Sequence, residues 1–108
     1  MSENNRIELA NGLNVRGKFP EFSFFYKDKI IQPCCRNFAY VENKLIAVKT
    51  LKHVYIYSMQ IENDTPKLIT KFNIFSSPCF AKIQISDKLY IIDFNCNVTC
   101  CDSEEKVR

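Results

Sequence analysis

Short apolar runs alternate with small polar clusters along most of the chain. From residue 22 onward the runs are rich in Ile, Val, Phe and Tyr, and no window keeps the period of an amphipathic helix for three turns. Such runs, bounded by polar turn-forming residues, predict strands joined by hairpins. The predicted strands cover residues 22–26, 38–41, 45–50, 54–61, 67–75, 79–85, 89–94 and 98–102. We therefore expect an all-β protein, an antiparallel β-meander.

The beginning and the end of the chain differ from this pattern. Residues 1–21 contain both glycines, Gly12 and Gly17, and carry only a thin apolar pattern. We expect this segment to form an N-terminal arm or edge strand. The last residues, 103–108, are polar and charged, and they predict a tail without regular structure.

Comparison of the chain with itself reveals an internal repeat of 44 residues. Residues 43–48 align with 87–92, and residues 54–58 align with 98–102, without a gap. Both copies have the pattern of a hairpin. A period in the low forties, made of short strands, is typical of propeller blades, each of which is a small antiparallel sheet that needs neighbours to bury its faces.

With this period and its Asn/Asp-Lys-Leu turns, the segment 22–102 resembles two neighbouring blades of a WD-repeat β-propeller. The chain has no Trp and no Gly-His pair, and only Asp102 matches the Trp-Asp signature of the family. The resemblance implies propeller-like blades and a role as a platform for protein partners in multi-subunit assemblies. A small β-sandwich, or a barrel of hairpins, is the alternative fold.

Two blades cannot close a propeller, which needs about four to eight. An unclosed pair exposes apolar faces and bare strand edges, and both favour association. We therefore expect the chain to bind protein partners or copies of itself, or to be a piece of a longer propeller.

Composition and charge narrow the classes of protein to which this chain can belong. A chain of 108 residues with 46% hydrophobic residues has enough apolar surface for one core. The net charge of +3 is small and scattered, so it predicts no specific electrostatic partner. The polar N-terminus lacks the pattern of a signal peptide, and no apolar run is long enough to span a membrane. These features predict an intracellular protein, cytoplasmic or nuclear, without a membrane partner.

Candidate chemical groups are few. Of the six cysteines, only the pair Cys96 and Cys100 has the spacing of a zinc knuckle, so we expect free, mostly buried thiols and no metal site. His53 lies in the predicted turn 51–53 without a nucleophile or carboxylate beside it. No glycine-rich phosphate loop is present. The sequence thus predicts neither a catalytic site nor a cofactor, and we expect that the protein is not an enzyme.

The remaining prediction is a binding surface. The preferred function is a non-catalytic scaffold for protein–protein interaction, with contacts through Lys52, His53, Tyr55 and Tyr57. The alternative is a nucleic-acid-associated accessory subunit, because lysines interleaved with tyrosines can combine phosphate contacts with base stacking.

Overall fold

A computed structural model describes residues 5–10, 12–18 and 20–102. Within these ranges the chain forms eleven β-strands and no helix, so the predicted all-β class is confirmed. The predicted tail, 103–108, lies outside the described residues. The strands are β1 (Asn5–Ala10), β2 (Leu13–Lys18), β3 (Glu21–Tyr26), β4 (Lys29–Cys35), β5 (Asn37–Val41), β6 (Leu45–Lys49), β7 (His53–Glu62), β8 (Thr65–Asn73), β9 (Phe80–Ile85), β10 (Lys88–Asp93) and β11 (Val98–Asp102).

The strands form three antiparallel sheets in which each strand pairs with its neighbour in sequence. In spatial order, sheet 1 is β1-β2-β3-β4, sheet 2 is β5-β6-β7-β8, and sheet 3 is β11-β10-β9. The predicted meander of hairpins is therefore confirmed, and the described strands do not close into a barrel. No described segment is a helix with the length and hydropathy that a membrane crossing requires.

Sheet 2 is the middle layer and is buried on both faces. Side chains of a strand alternate between the two faces of a sheet. Ile46 and Val48 pack against sheet 1, whereas Leu45 and Ala47 pack against sheet 3, and all four are fully buried. The first core consists of Leu13, Val15, Phe24, Tyr26, Cys35, Ile46, Val48 and Tyr57. The second core consists of Leu45, Ala47, Val54, Ile56, Ile83, Tyr90, Ile92 and Cys96.

The 44-residue offset relates the second and third strands of sheets 2 and 3. It places β6 on β10 and β7 on β11, in the same order within each sheet. Sheet 1 has the same strand order at a shorter offset, 32 residues from Leu13 to Leu45. The offset is shorter because the β3–β4 hairpin is shorter than β7–β8, and because one residue, Arg36, joins sheets 1 and 2 where 74–79 join sheets 2 and 3.

The N-terminal segment, expected as an arm or edge strand, contributes two strands to sheet 1. β1 lies at the sheet edge, and β2 lies in its interior with Leu13 and Val15 in the first core. β4 was not predicted from the sequence. Its polar residues and Pro33 interrupt the apolar pattern, and Cys34 has a left-handed backbone with φ of 60°.

The two ends of the stack have different connections. At one end, which we call the turn end, tight turns join β3 to β4, β5 to β6, β7 to β8 and β9 to β10. Left-handed residues shape these turns, among them Lys27, Asn43, Asn63 and Ser86, with φ between 55° and 62°. The opposite end, the loop end, carries the β6–β7 and β10–β11 turns and both links between sheets.

Candidate functional site

Hydrogen bonds tie together the connections at the loop end. The backbone N–H of Ile74 donates to the carbonyl of Lys52 at 2.8 Å, which joins the β8–β9 link to the β6–β7 turn. The turn of sheet 3 is joined to sheet 2 through Asn95, whose side-chain oxygen accepts from Lys49 Nζ at 3.3 Å and whose carbonyl accepts from Asn37 Nδ2 at 3.2 Å. The loops of sheets 2 and 3 therefore form one connected surface.

Large apolar side chains project from this surface. Leu51 is 65% exposed, Phe75 is 78% exposed and Phe94 is 42% exposed. We call these three residues, together with the exposed Lys52, the loop-end patch. The tight turns of the turn end instead carry charged and amide side chains. Among the described residues, the loop end thus carries the two most exposed large apolar side chains, Phe75 and Leu51.

The backbone that carries the patch is held locally as well. Phe75 N–H donates to Asn73 Oδ1 at 2.7 Å. Across the β6–β7 turn, Thr50 N–H donates to His53 O at 2.8 Å, and His53 N–H donates to Thr50 Oγ1 at 3.2 Å. The exposed side chains are therefore presented by ordered turns, which lowers the entropic cost of binding.

Asp93 holds the third loop of this end. Its carboxylate accepts from Asn95 N at 2.8 Å, from Asn97 N at 3.0 Å and from Asn97 Nδ2 at 3.2 Å. Partial burial opposes ionisation, but the bonds from Asn97 and Asn95 outweigh it and hold the pKa of Asp93 below its usual value. The same turn places the thiol of Cys96, buried, 4.0 Å from the carbonyl of Ala47 in sheet 2.

Of the four residues that were predicted to bind a partner, the structure leaves Lys52, His53 and Tyr55 at least partly exposed and buries Tyr57. Lys52 is exposed in the β6–β7 turn, and His53 begins β7, half-buried, with its ring centroid 5.8 Å from that of Tyr55. Lys71 Nζ lies 5.8 Å from the centre of the Tyr55 ring. Tyr57 is only 6% exposed and lies in the first core, its ring 5.4 Å from that of Phe24.

Sequence reasoning missed the apolar members of the loop-end patch. Leu51 lies within a predicted turn, and Phe75 ends a predicted strand just before a polar cluster. Leu51 could have been recognised from the sequence, because a large apolar residue inside a predicted turn is a candidate for exposure. Phe75 gave no such signal, because a strand that ends in Phe is equally compatible with burial.

The cysteines were predicted as free and mostly buried, and the second half of that prediction is wrong. All six are free, but only Cys35 and Cys96 are buried, while Cys34, Cys100 and Cys101 are exposed. Strands at a sheet edge leave side chains uncovered, which accounts for the exposed thiols. Among the described residues, no three His, Cys, Asp or Glu side chains are grouped as a metal site would require.

Two open grooves lie between the sheets. The larger, about 740 Å³, lies towards the turn end between sheets 2 and 3, and its lining contains no carboxylate, histidine or cysteine. Its lining residues are Asn43, Lys44, Ser58, Met59, Gln60, Lys67, Leu68, Ile69, Ile83, Gln84 and Ile85. The other, about 350 Å³, lies between sheets 1 and 2, with Ile7, Phe22 and Phe38 in its mainly apolar lining.

We compared the chain with known proteins at three levels. Neither the protein-family models, nor the curated proteins, nor the solved structures gave a match to it.

Proposed function

We propose that the chain is a non-catalytic protein-interaction module, a propeller-like scaffold that presents the loop-end patch to a protein partner. One observation carries this proposal: Leu51, Phe75 and Phe94 are all exposed on loops that are hydrogen-bonded to each other or to the same sheet. Three stacked meanders with a recurring strand order support the propeller-like scaffold.

The size of the apolar side chains supports binding at this patch. An aromatic side chain buries about 150–250 Å² when it is fully covered. At about 25 cal/mol per Å², covering Phe75 alone contributes on the order of 3 kcal/mol before the costs of association are subtracted. Aromatic anchors surrounded by polar groups are typical of residues that dominate binding energy, and Lys52 supplies a charge beside them.

Photo-crosslinking tests the proposal. A photoreactive amino acid at position 75 should crosslink a defined protein in the cells that make this chain, and the same label at position 30 should not. Ile30 is a suitable control because it is 50% exposed but belongs to β4 of sheet 1. Equal crosslinking of the same protein from both positions would contradict a specific patch.

Affinity measurements with the captured protein complete this test. The double variant Leu51→Ser/Phe75→Ser should weaken binding at least about tenfold, since it removes two apolar anchors. Ile30→Ser should leave the affinity unchanged. Both variants should keep the melting temperature within a few degrees, because all three side chains are exposed. Unchanged affinity of the double variant would disprove the role of the patch.

A second candidate function is supported by the side chains around Tyr55. His53, Tyr55 and Lys71 combine two neighbouring rings with a cation, an arrangement that suits single-stranded nucleic acid. If this surface binds RNA, log Kd should change linearly with log salt, and Lys52→Gln/Lys71→Gln should reduce that slope. Binding to protein at the loop-end patch should show little dependence on salt.

A further inference from the structure

Carboxylates are distributed unevenly between the two ends of the molecule. Each tight turn of the turn end contains one, and these are Asp28, Glu42, Asp64 and Asp87. No carboxylate occurs in the connections of the loop end, which are residues 36, 50–52, 74–79 and 94–97. The fold therefore sorts charges that are scattered along the sequence.

One cation lies beside two apolar side chains of the loop-end patch. Lys52 directly follows Leu51 in the β6–β7 turn. Its carbonyl accepts the N–H of Ile74, the residue before Phe75, at 2.8 Å. Lys52 thus stands between Leu51 and Phe75 at the point where the two connections are joined.

Two further cations lie on the side of Phe94. Lys49 Nζ donates to Asn95 Oδ1 at 3.3 Å, and Asn95 directly follows Phe94. Arg36 is exposed, and its backbone N–H donates to the carbonyl of Lys49 at 2.7 Å. Every apolar member of the patch therefore has a cation nearby, through the chain or through a hydrogen bond.

Two carboxylates stand at strand ends on this side of the molecule, and both are occupied. Asp93, which ends β10, accepts three hydrogen bonds within its own turn and interacts electrostatically with Lys49. Glu21, which begins β3 in sheet 1, is hydrogen-bonded to the thiol of Cys34. Neither forms an ion pair with a cation of the described chain.

Lys52 and Arg36 carry the positive charge that remains uncompensated. Neither forms an ion pair with another described residue, and both are exposed. An anionic group can therefore pair with them without first breaking an ion pair of the chain. Cations beside exposed apolar anchors favour a partner with carboxylates around apolar side chains and disfavour a basic one.

We propose that the partner of the loop-end patch presents an acidic polypeptide segment, in which Asp or Glu side chains flank large apolar ones. Its apolar side chains cover Leu51, Phe75 and Phe94, and its carboxylates pair with Lys52 and Arg36. This inference rests on the proposed function, because it names the chemistry of the partner for the same patch.

A phage-displayed library of short random peptides, selected against the full chain, tests the inference. Selected peptides that no longer bind the variant Leu51→Ser/Phe75→Ser are those that use the patch. We expect these peptides to contain Phe, Leu or Ile together with an excess of Asp and Glu over Lys and Arg.

The same selection separates this inference from the proposed function. Patch-dependent peptides with a neutral or basic consensus would keep the patch as a binding surface and overturn only its preference for acidic segments. A selection in which no peptide depends on Leu51 and Phe75 would overturn the proposed function, and this inference with it.

Charge variants of the chain locate the contact. Lys52→Glu should weaken the binding of a selected acidic peptide by about fivefold or more, because an exposed charge pair becomes repulsive. Lys52→Arg keeps the charge and should bind normally. Lys67→Glu is the matched control, since Lys67 is exposed on β8 towards the turn end. An equal loss in Lys67→Glu would show that net charge sets the affinity, which would overturn the inference.

A charge swap identifies the paired residues. In the selected peptide, each acidic residue in turn is replaced by lysine. At one position or more, the replacement should weaken binding to the unmodified chain and restore binding to Lys52→Glu or to Arg36→Glu, because opposite charges face each other again. The absence of any such recovery would show that the carboxylates do not pair with these cations, and would overturn the inference.

Other anionic molecules serve as competitors, because the same cations could attract them. Vesicles of phosphatidylcholine and phosphatidylserine, and single-stranded RNA, should not displace the selected peptide at physiological salt. Displacement by either would assign the patch to an anionic ligand of another class and overturn the inference. Salt should have only a small effect on peptide binding, since Lys52 and Arg36 form fewer charge pairs than a nucleic-acid interface does.

Discussion

The carboxylate of Asp93 is the centre of the β10–β11 turn. It accepts two backbone N–H groups and one side-chain amide from Asn95 and Asn97. This turn also holds Cys96 in the second core and brings Asn95 within hydrogen-bond distance of Lys49. A single side chain therefore connects the order of the turn to the packing between sheets 2 and 3.

We expect Asp93→Ala to destabilise the protein by about 1–2 kcal/mol at neutral pH, because three hydrogen bonds lose their acceptor. Folding lowers the pKa of Asp93, so its contribution is present above the unfolded pKa, near 3.9, and is lost as pH falls through the lower folded value. Urea denaturation of both proteins between about pH 7 and pH 2 measures this. A difference in stability that does not shrink in acid would contradict the assignment.

The thiols allow a second test at the scale of residues. Burial raises the pKa of Cys35 and of Cys96 to about 12, so only about one thiol in ten thousand is ionised at pH 8. We expect Cys100 and Cys101, which are exposed, to react rapidly with a thiol reagent in the folded protein. Cys34 is also exposed, but it should react more slowly because the hydrogen bond with Glu21 raises the pKa of its thiol. The two buried thiols should react only after unfolding.

Mass spectrometry of the labelled peptides assigns the reactive positions. Cys96→Ser should leave the number of rapidly labelled thiols unchanged, whereas Cys101→Ser should lower it by one. Rapid labelling of Cys96 in the folded chain would show that the β10–β11 turn does not pack on sheet 2.

At the scale of elements, β6 contributes to stability through buried side chains on both of its faces. An ordinary surface sheet tolerates substitution on its solvent face, but Leu45 and Ile46 are both fully buried in different cores. We expect Leu45→Ala and Ile46→Ala each to cost about 2–5 kcal/mol. Ile30→Ala, at a 50% exposed position, should cost less than about 1 kcal/mol. A mild effect of either core variant in urea denaturation would contradict the two-sided burial of sheet 2.

The local sequence predicts the hairpins, but packing determines which segments become strands and where those strands begin and end. The predicted strands 45–50 and 89–94 agree closely with β6 and β10 because a continuous apolar run suits a buried strand. β4 escaped prediction because it has a polar edge and a proline, features that an isolated sequence also places in loops. The left-handed Cys34 is held there by the surrounding sheet rather than by its own preference.

At the scale of the whole molecule, sheet 2 couples the two cores. Because every buried side chain of β6 contacts one core or the other, loss of one core should weaken the remaining one. We expect Phe24→Ala, in sheet 1, to lower the stability of β10 in sheet 3 as well. Hydrogen exchange of the Tyr90 and Ile92 amides, in conditions where global unfolding dominates, measures this effect. Unchanged protection of β10 would mean that the sheets unfold independently.

The candidate site shows where prediction from sequence reaches its limit. Lys52 was predicted as a contact residue and is exposed, while Tyr57, two positions after Tyr55 on the same strand, lies in the first core. The alternating pattern of Lys and Tyr cannot distinguish Tyr55 from Tyr57, because both side chains point to the same face of β7. The two tyrosines differ only in how much of each side chain sheet 1 covers. Phe75 became recognisable as a surface residue only once the β8–β9 link was placed against Lys52.

The sequence alone determined the class of this protein, its antiparallel hairpins and the correspondence of β6–β7 with β10–β11, because these depend on residue preference and on spacing along the chain. Tertiary structure decided which faces became cores and which thiols stayed exposed. These features depend on contacts between segments far apart in sequence, and a pattern within one segment does not contain the position of another.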